Sequence, residues 1–386
     1  MLRRLYISIL FVVLSLIPLS AQEVLVGATD TTAYMSLLKG QRVAVLANHT
    51  AMYSADEHLV DILHREGVNL VGIFAPEHGF RGKVEAGLKV NNSVDEATGV
   101  AILSLYNGNT QRPSDEVMRS FDVLVVDMQD VGLRFYTYYI SMLRMIDACA
   151  DFGVKVIVLD RPNPNGHYVD GPILDMKYKS GVGWLPIPVV HGLTMGEIAL
   201  MAIGEGWAKS ANIEVVRCRN YTHSTHYQLP IAPSPNLPTQ HSIYLYPSTC
   251  LFEGTVVSMG RGTDAPFEVY GHPAMEGRVF SFTPEPNGGS KNPPHNGKLC
   301  HGVDLRGVAD EEIWREGFNL EYVIDAYHDL DMGDKFFTPM FEKLVGVEYV
   351  RRMIIEGYSA DDIEKMWQAE LEEYKTLRSK YLIYNE

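Results

Sequence analysis

Cysteine is scarce in this chain: 4 in 386 residues, at Cys149, Cys218, Cys250 and Cys300, with no CxxC pair among them. That spacing excludes a zinc ribbon and a dithiol redox motif. Cys149 falls on the apolar face of a helical stretch and reads as a free buried thiol. One disulfide among the other three stays open in an oxidising compartment. Positive charge is also short, with 33 Lys and Arg against 48 Asp and Glu and a net charge of −15. Such a balance argues against nucleic acid or an anionic lipid surface as partner. The sequence has no GxSxG turn, no P-loop, no HExxH and no credible dinucleotide fingerprint. Serine-elbow, phosphate-cradle, zincin and nicotinamide chemistries are thereby set aside, and no cofactor or metal is expected. The closest histidine pair, His223 and His226, lacks a third ligand nearby and reads as solvent-facing polar residues.

Long apolar runs are missing too, save one. Tyr6 to Leu19 follows two arginines, Arg3 and Arg4, and precedes the small residues Ser20-Ala21. Residues 1–21 read as a secretory signal, too short for a comfortable membrane span; an uncleaved N-terminal anchor is the alternative. No cysteine lies near the cleavage point, which excludes lipid attachment there. The expected location is therefore periplasmic or secreted, with no membrane span after cleavage. With 46 % hydrophobic and 21 % charged residues the remainder has the composition of a folded protein, long enough for two domains.

What is present is a recurring pattern of apolar runs that end in polar, charged loops. Arg42–Ala47 runs into Asn48-His49-Thr50. Leu70–Phe74 runs into Pro76-Glu77-His78-Gly79-Phe80-Arg81. Asp122–Val126 runs into Asp127, Gln129, Asp130 and Arg134, and Val154–Leu159 into Asp160-Arg161-Pro162-Asn163. Each run is short, apolar and without alternation, as in a strand buried on both faces. Helical patterns lie between them at His58–Arg65, Ser114–Ser120 and Tyr138–Phe152, the last with Ile140, Leu143, Ile146 and Ala150 on one side. Alternation of this kind predicts an α/β fold with a mostly parallel sheet, its strands all pointing the same way. Asn48, Glu77, Asp127 and Asp160 should then converge at one carboxyl edge, where open α/β sheets bind ligands.

Further along, Thr194 is placed to cap a helix from Met195 to Ile203, with Glu197 completing a capping box. Ile213–Arg217 reads as another strand. Pro230–Pro238 holds four prolines in nine residues and is the best domain boundary. It divides the chain into 22–236 and 237–386. Thr283–Gly297 must be irregular and could serve as a lid. The second part should end in helices, one over Leu320–Leu330 and a last one capped by Ser359 and running through Leu371.

Carboxylates surrounded by Arg, His, Tyr and Asn suit sugar recognition and glycoside hydrolysis, which needs a protonated acid beside a second carboxylate or a substrate group. Glu77 is the expected general acid, since apolar neighbours on its strand side would desolvate it and raise its pKa. The alternative is an ion-pair partner for Arg81. His78 either relays a proton or is a hydrogen-bonded structural histidine. Asp127 and Asp130 complete the catalytic candidates: one orients Arg134 or caps the helix beginning near Tyr136, the other faces the sugar. Asn48, Arg81, Gln129, Arg134, Tyr136 and Asp160 are the substrate-binding candidates from this part.

Several blocks carry a resemblance that covers nearly all of the chain after residue 21. Pro76–Gly82 with Ala86-Gly87 and Val90, Asp127–Tyr138, Leu159–Pro164, Gly171-Pro172, His191-Gly192, Pro233–Pro238, Tyr246–Gly254, Gly260–Thr263 and Pro266–Glu268 together resemble the NamZ-type exo-β-N-acetylmuramidases, long catalogued as a domain of unknown function. The resemblance implies a Rossmann-like N-terminal domain, a smaller α+β C-terminal domain and an active cleft between them. It implies an enzyme that removes a terminal non-reducing N-acetylmuramic acid from peptidoglycan fragments, with such sugars or muropeptides as its partners. A non-catalytic muropeptide-binding protein is the competing reading; an amidase or esterase lacks an evident nucleophile or metal. Glu253 and Arg261 would complete the cleft from the second domain. The lactyl carboxylate of the product favours a guanidinium contact, for which Arg81, Arg134 and Arg261 stand as unranked candidates.

Overall fold

The computed structural model describes residues 22–76, 80–81, 93–103, 105 and 112–386. The signal-like segment 1–21, and with it Glu77 and His78, lie outside the described residues.

A seven-stranded sheet forms the centre of the first part: β1 (Val43–Ala47), β2 (Leu70–Phe74), β3 (Ser93–Val94), β4 (Ala101–Leu103), β5 (Val123–Asp127), β6 (Lys155–Leu159) and β7 (Ile213–Val216), in the spatial order β3-β4-β2-β1-β5-β6-β7. Every pairing is parallel except that of the two-residue edge strand β3 with β4. β1 and β5 are buried at every position, which is why neither alternates in the sequence. Their side chains nevertheless part to two faces. Val43, Val45 and Ala47 join Tyr34 and Leu38 of α1 (Thr31–Leu38) and Leu59 and Leu63 of α2 (Leu59–Arg65) in one apolar cluster. Ala44 and Leu46 join Met118 of α3 (Asp115–Met118), Leu143 and Ile146 of α4 (Tyr138–Phe152) and Ile198 of α5 (Met195–Gly204) in another. The sheet is thus covered by helices on both sides, as the helical patterns between the strands require.

The second part begins with α6 (Gln240–Thr249) and a three-stranded antiparallel sheet of β8 (Val269–His272), β9 (Phe280–Phe282) and β10 (Cys300–Asp304), with β10 in the middle. Helices follow: α7 (Asp310–Glu316), α8 (Glu321–Leu330), α9 (Phe341–Val345), α10 (Tyr349–Ile355), α11 (Ala360–Glu364) and α12 (Gln368–Arg378). Leu245, Phe341, Ile363 and Trp367 belong to the same buried cluster as α4 and α5. The apolar core therefore continues from one face of the large sheet into the second part. No helix among the described residues is long and apolar enough to cross a membrane.

Four expectations need correction. The last helix is two: Ser359 caps α11, its Oγ accepting from the Asp362 N–H, but the chain breaks before α12 at Trp367. Trp367 is fully buried there, and its indole N–H donates to Asp170 at 3.3 Å. The four cysteines are all free and buried, so no bridge forms among Cys218, Cys250 and Cys300. His223 does not face solvent; it is buried against Glu197, its Nε2 3.0 Å from Oε1. The 283–297 segment is irregular as expected but is tied down along its length. Glu285 N–H donates to Gly262 O at 2.9 Å, Asn236 Nδ2 to Gly289 O at 2.7 Å and Asn287 Nδ2 to Thr263 O at 3.1 Å. His295 Nε2 lies 2.7 Å from Val256 O. A segment held at these points does not suit a lid.

Candidate active site

Three strand ends meet at the carboxyl edge of the large sheet. Asp127, the last residue of β5, is fully buried and receives Arg161 Nε at 2.5 Å and Nη2 at 3.0 Å. Arg161 leaves β6 two residues after its end, and its Nη2 also donates to Met52 O, beyond β1, at 2.8 Å. A buried carboxylate without a cation would be costly, so this pair fixes the spacing of the three loops. Asn48, the first residue after β1, accepts from Thr50 N–H at 3.0 Å and Thr50 Oγ1 at 2.6 Å. Thr50 Oγ1 in turn accepts the Gln129 N–H at 3.0 Å, carrying the lattice across to the loop after β5. Gln129 spends its side-chain amide on Asp130 O and Pro162 O, at 2.8 and 2.7 Å. Asn48 and Gln129 therefore shape the edge through the backbone, although the Asn48 Nδ2 keeps no partner among the described residues.

Among the described carboxyl groups of this edge, Asp130 stands apart in having an oxygen without a partner. It is 6 % exposed, its Oδ1 accepts the Gly132 N–H at 2.7 Å, and its Oδ2 has no partner among the described residues. Burial pushes its pKa up to about 7. The loop that holds it needs glycine at 132, where φ is +81° and a Cβ would lie 2.1 Å from Asn163 Oδ1.

Several candidates occupy other posts. Arg134 is fully buried and gives its guanidinium to four carbonyls: Pro172, Ile187, Leu344 and Val345, at 2.7 to 2.9 Å. It fastens the loop before α5 to α9 and has been drawn away from both Asp127 and Asp130, so it is a clamp and not a substrate contact. Arg81 is held between Asp61 and Asp95, with its closest contact to each at 2.7 Å. Two carboxylates leave no fork for a third. Asp160 takes Thr194 Oγ1 at 2.6 Å, Gly196 N–H at 2.9 Å and Tyr384 OH at 2.8 Å. It anchors the start of α5 with its carboxylate taken up by these three donors, and burial pushes its pKa up to about 6.

Tyrosines from the two parts meet beside Asp130. Tyr136 and Tyr138 both donate to Pro233 O, at 3.0 and 3.2 Å. The Tyr246 ring of α6 stands edge-on to Tyr136, with centroids 6.4 Å apart, and its hydroxyl lies within the fields of Glu253 and Arg261. Arg261 Nη2 donates to Glu253 Oε1 at 2.6 Å, the guanidinium sits 5.0 Å from the Phe267 ring centre, and the two charged side chains keep 27 and 30 % of their surface exposed. Of the three arginines considered for an anionic substrate group, Arg134 is buried, Arg81 is as open as Arg261 but held by two carboxylates, and Arg261 is paired to one.

Comparison with known proteins gives the same order of parts. The family model for the N-terminal part of exo-β-N-acetylmuramidase NamZ matches residues 43–241, and that for its C-terminal part matches residues 244–384. The chain belongs to the NamZ family. Peptidoglycan β-N-acetylmuramidase NamZ of Bacillus subtilis (strain 168) is 38 % identical over 376 residues, which cover 91 % of this chain and 89 % of that protein. Crystal structures of two DUF1343 family proteins from Bacteroides fragilis NCTC 9343 superpose closely. One has a TM-score of 0.89 at 57 % identity, covering 95 % of this chain and all of that one. The other has a TM-score of 0.80 at 26 % identity, covering 94 and 99 %.

Within this NamZ-family fold, Arg161 is the residue the sequence reading passed over. It stood beside Asp160 in the same strand-end block. The signal was available in principle: a fully buried Asp127 at the end of β5 needs a cation, and the neighbouring strand end supplies one.

Proposed function

We propose that this chain is an exported exo-β-N-acetylmuramidase, a glycosidase that releases N-acetylmuramic acid from the non-reducing end of peptidoglycan fragments. The observation that carries the proposal is the match to both halves of the NamZ family, in order, over most of the chain. The chemistry of the carboxyl edge supports it. Glu77, three residues beyond β2, acts as the general acid that protonates the leaving glycosidic oxygen. Asp130 supplies a second carboxyl able to take or hold a proton near neutrality. The Asp127–Arg161 pair holds the three loops at their spacing, and Arg261 meets the lactyl carboxylate. His78 serves beside Glu77.

The test is turnover of a defined disaccharide with N-acetylmuramic acid at its non-reducing end. Free N-acetylmuramic acid should accumulate, and the chromogenic N-acetylmuramic acid glycoside should far outpace the N-acetylglucosamine one. Losing a buried charged contact is worth about 2–5 kcal/mol, ample for that selectivity. Binding without release would leave a glycan-binding protein, and equal rates on the two glycosides a general hexosaminidase. Export is checked by N-terminal sequencing of the protein from the periplasm or medium, which should begin just after residue 21; a retained Met1 would contradict cleavage.

A further inference from the structure

The proline-rich segment that divides the sequence is, in the fold, a bridge. Its prolines at 230, 233, 235 and 238 lock the backbone φ and stiffen it. At one end it is fastened to two loops of the carboxyl edge. His49, after β1, places its Nε2 2.9 Å from Ala232 O, and Tyr136 and Tyr138, after β5, both donate to Pro233 O. Leu237 N–H then donates to Ser234 O at 3.0 Å and Asn236 N–H to Ser234 Oγ at 3.2 Å, closing a turn with Pro235 and Asn236 at its corners. Asn236 is 6 % exposed, and its Nδ2 donates to Gly289 O at 2.7 Å.

From Gly289 the connection runs on to Arg261. Asn287 Oδ1 accepts the N–H groups of Gly289 and Ser290, at 3.0 and 2.9 Å, while its Nδ2 donates to Thr263 O at 3.1 Å. Two residues earlier, Glu285 N–H donates to Gly262 O at 2.9 Å. Arg261 lies in the turn these bonds hold, which Thr263 closes by giving its N–H and its hydroxyl to Gly260 O, at 3.0 and 2.7 Å. Neither joint has slack. At Gly262, where φ is +84°, a Cβ would lie 2.6 Å from both Glu285 O and Pro293 Cβ. At Gly289 one would lie 2.7 Å from Asn236 Oδ1 and 3.3 Å from Pro235 O. A second route to Arg261 runs through rings, from Tyr136 to Tyr246 at 6.4 Å, to Phe267 at 4.7 Å and to the guanidinium at 5.0 Å. Ring pairs tolerate centroid separations of about 4.5–7 Å, whereas a hydrogen bond weakens steeply off its line, so the polar route sets the finer position.

We propose that Asn236 is a positioning residue for substrate specificity. Through Gly289 and Asn287 it sets the place of the Arg261 turn relative to the loops after β1 and β5, and with it the reach of the guanidinium to an anionic substrate group. This rests on the reading above in which Arg261 meets the lactyl carboxylate. Asn236 acts through Arg261, so its effect falls on the choice between charged and neutral substrates and not on turnover as such.

The test compares kcat/KM for the chromogenic N-acetylmuramic acid glycoside with that for its lactyl methylamide, which keeps the shape and loses the charge. The parent should prefer the acid, and Arg261→Ala should abolish that preference. Asn236→Ala should lower the acid-to-amide ratio by about 2- to 10-fold, the worth of one neutral hydrogen bond, and leave the amide rate unchanged. Gly289→Ala presses a methyl group against the Asn236 amide from the other side and should lower the ratio likewise; it stands in if Asn236→Ala fails to fold. Three outcomes overturn the proposal. An equal loss on both substrates would make the joint plain scaffolding. A folded joint variant that keeps the parent's ratio, while Arg261→Ala abolishes it, would show that the bridge does not place Arg261. A parent without the preference, or an Arg261→Ala variant that retains it, would defeat the lactyl reading and the proposal with it.

Discussion

A carboxyl group with one oxygen on a backbone N–H and the other unpartnered, as in Asp130, keeps its proton until about pH 7. An exposed aspartate in the unfolded chain loses it near pH 3.9. Between those values the folded protein binds more protons than the unfolded one, so Asp130 lowers stability as pH rises from about 4 to 7. Asp130→Asn keeps the acceptor for Gly132 and abolishes that slope. Urea unfolding should find the variant gaining stability over the parent at pH 8 relative to pH 4.5; an unchanged difference would refute a raised pKa. Glu77 is tested by its chemistry. Glu77→Gln should fold normally and lose turnover by about 10²–10⁴-fold, the usual contribution of acid–base assistance. Near-normal hydrolysis in a folded Glu77→Gln protein would remove it from the acid role.

Among the elements, α5 shows how a short helix can hold a strand end in place. Thr194 accepts the Glu197 N–H at 3.3 Å, Glu197 returns a bond to the Thr194 N–H at 2.9 Å, and the threonine hydroxyl also donates to Asp160 at 2.6 Å. Loss of such a cap costs about 1–2 kcal/mol. Here the loss should depend on pH. Asp160, with its pKa up to about 6, is stabilised as a carboxylate by the Thr194 hydroxyl, so removing that donor hurts most where the group is charged. Thr194→Ala should therefore destabilise more at pH 8 than at pH 5, and Thr194→Ser should restore most of the loss at both. Equal losses at the two pH values would leave Thr194 as a plain helix cap.

On the scale of the whole molecule, the core runs unbroken from the large sheet through α4 and α5 to Trp367. Thermal unfolding should accordingly give one calorimetric transition, and two separated ones would mean that the halves fold apart. The strands were legible because both faces of the sheet are covered, which turns β1, β2, β5 and β6 into plain apolar runs. The start of α5 was legible because a capping box is a local code. The Asp127–Arg161 pair, the clamp of Arg134 and the burial of His223 were not. Each depends on a partner brought from a distant segment, up to 211 residues away for Arg134 and Val345, and nothing local announces it. Trp367 misled for a related reason: its spacing fits a continuous helix, yet its burial against Asp170 sets the break.

The segment Ile383–Glu386 closes the flank of β6 and β7 from the far end of the chain. Ile383 N–H meets Glu197 at 2.9 Å, Tyr384 OH meets Asp160 at 2.8 Å across 224 residues, and Asn385 O receives the His223 N–H at 2.8 Å. On the ribosome these residues emerge only after every strand of the sheet has been made. Until they arrive, Glu197 and Asp160 each lack one of their donors, and contacts spanning so much sequence form slowly. A nascent chain halted before Ile383 should thus stay sensitive to protease while the full chain resists. Under the export proposed above, passage of the unfolded chain through a translocon would fall in that interval.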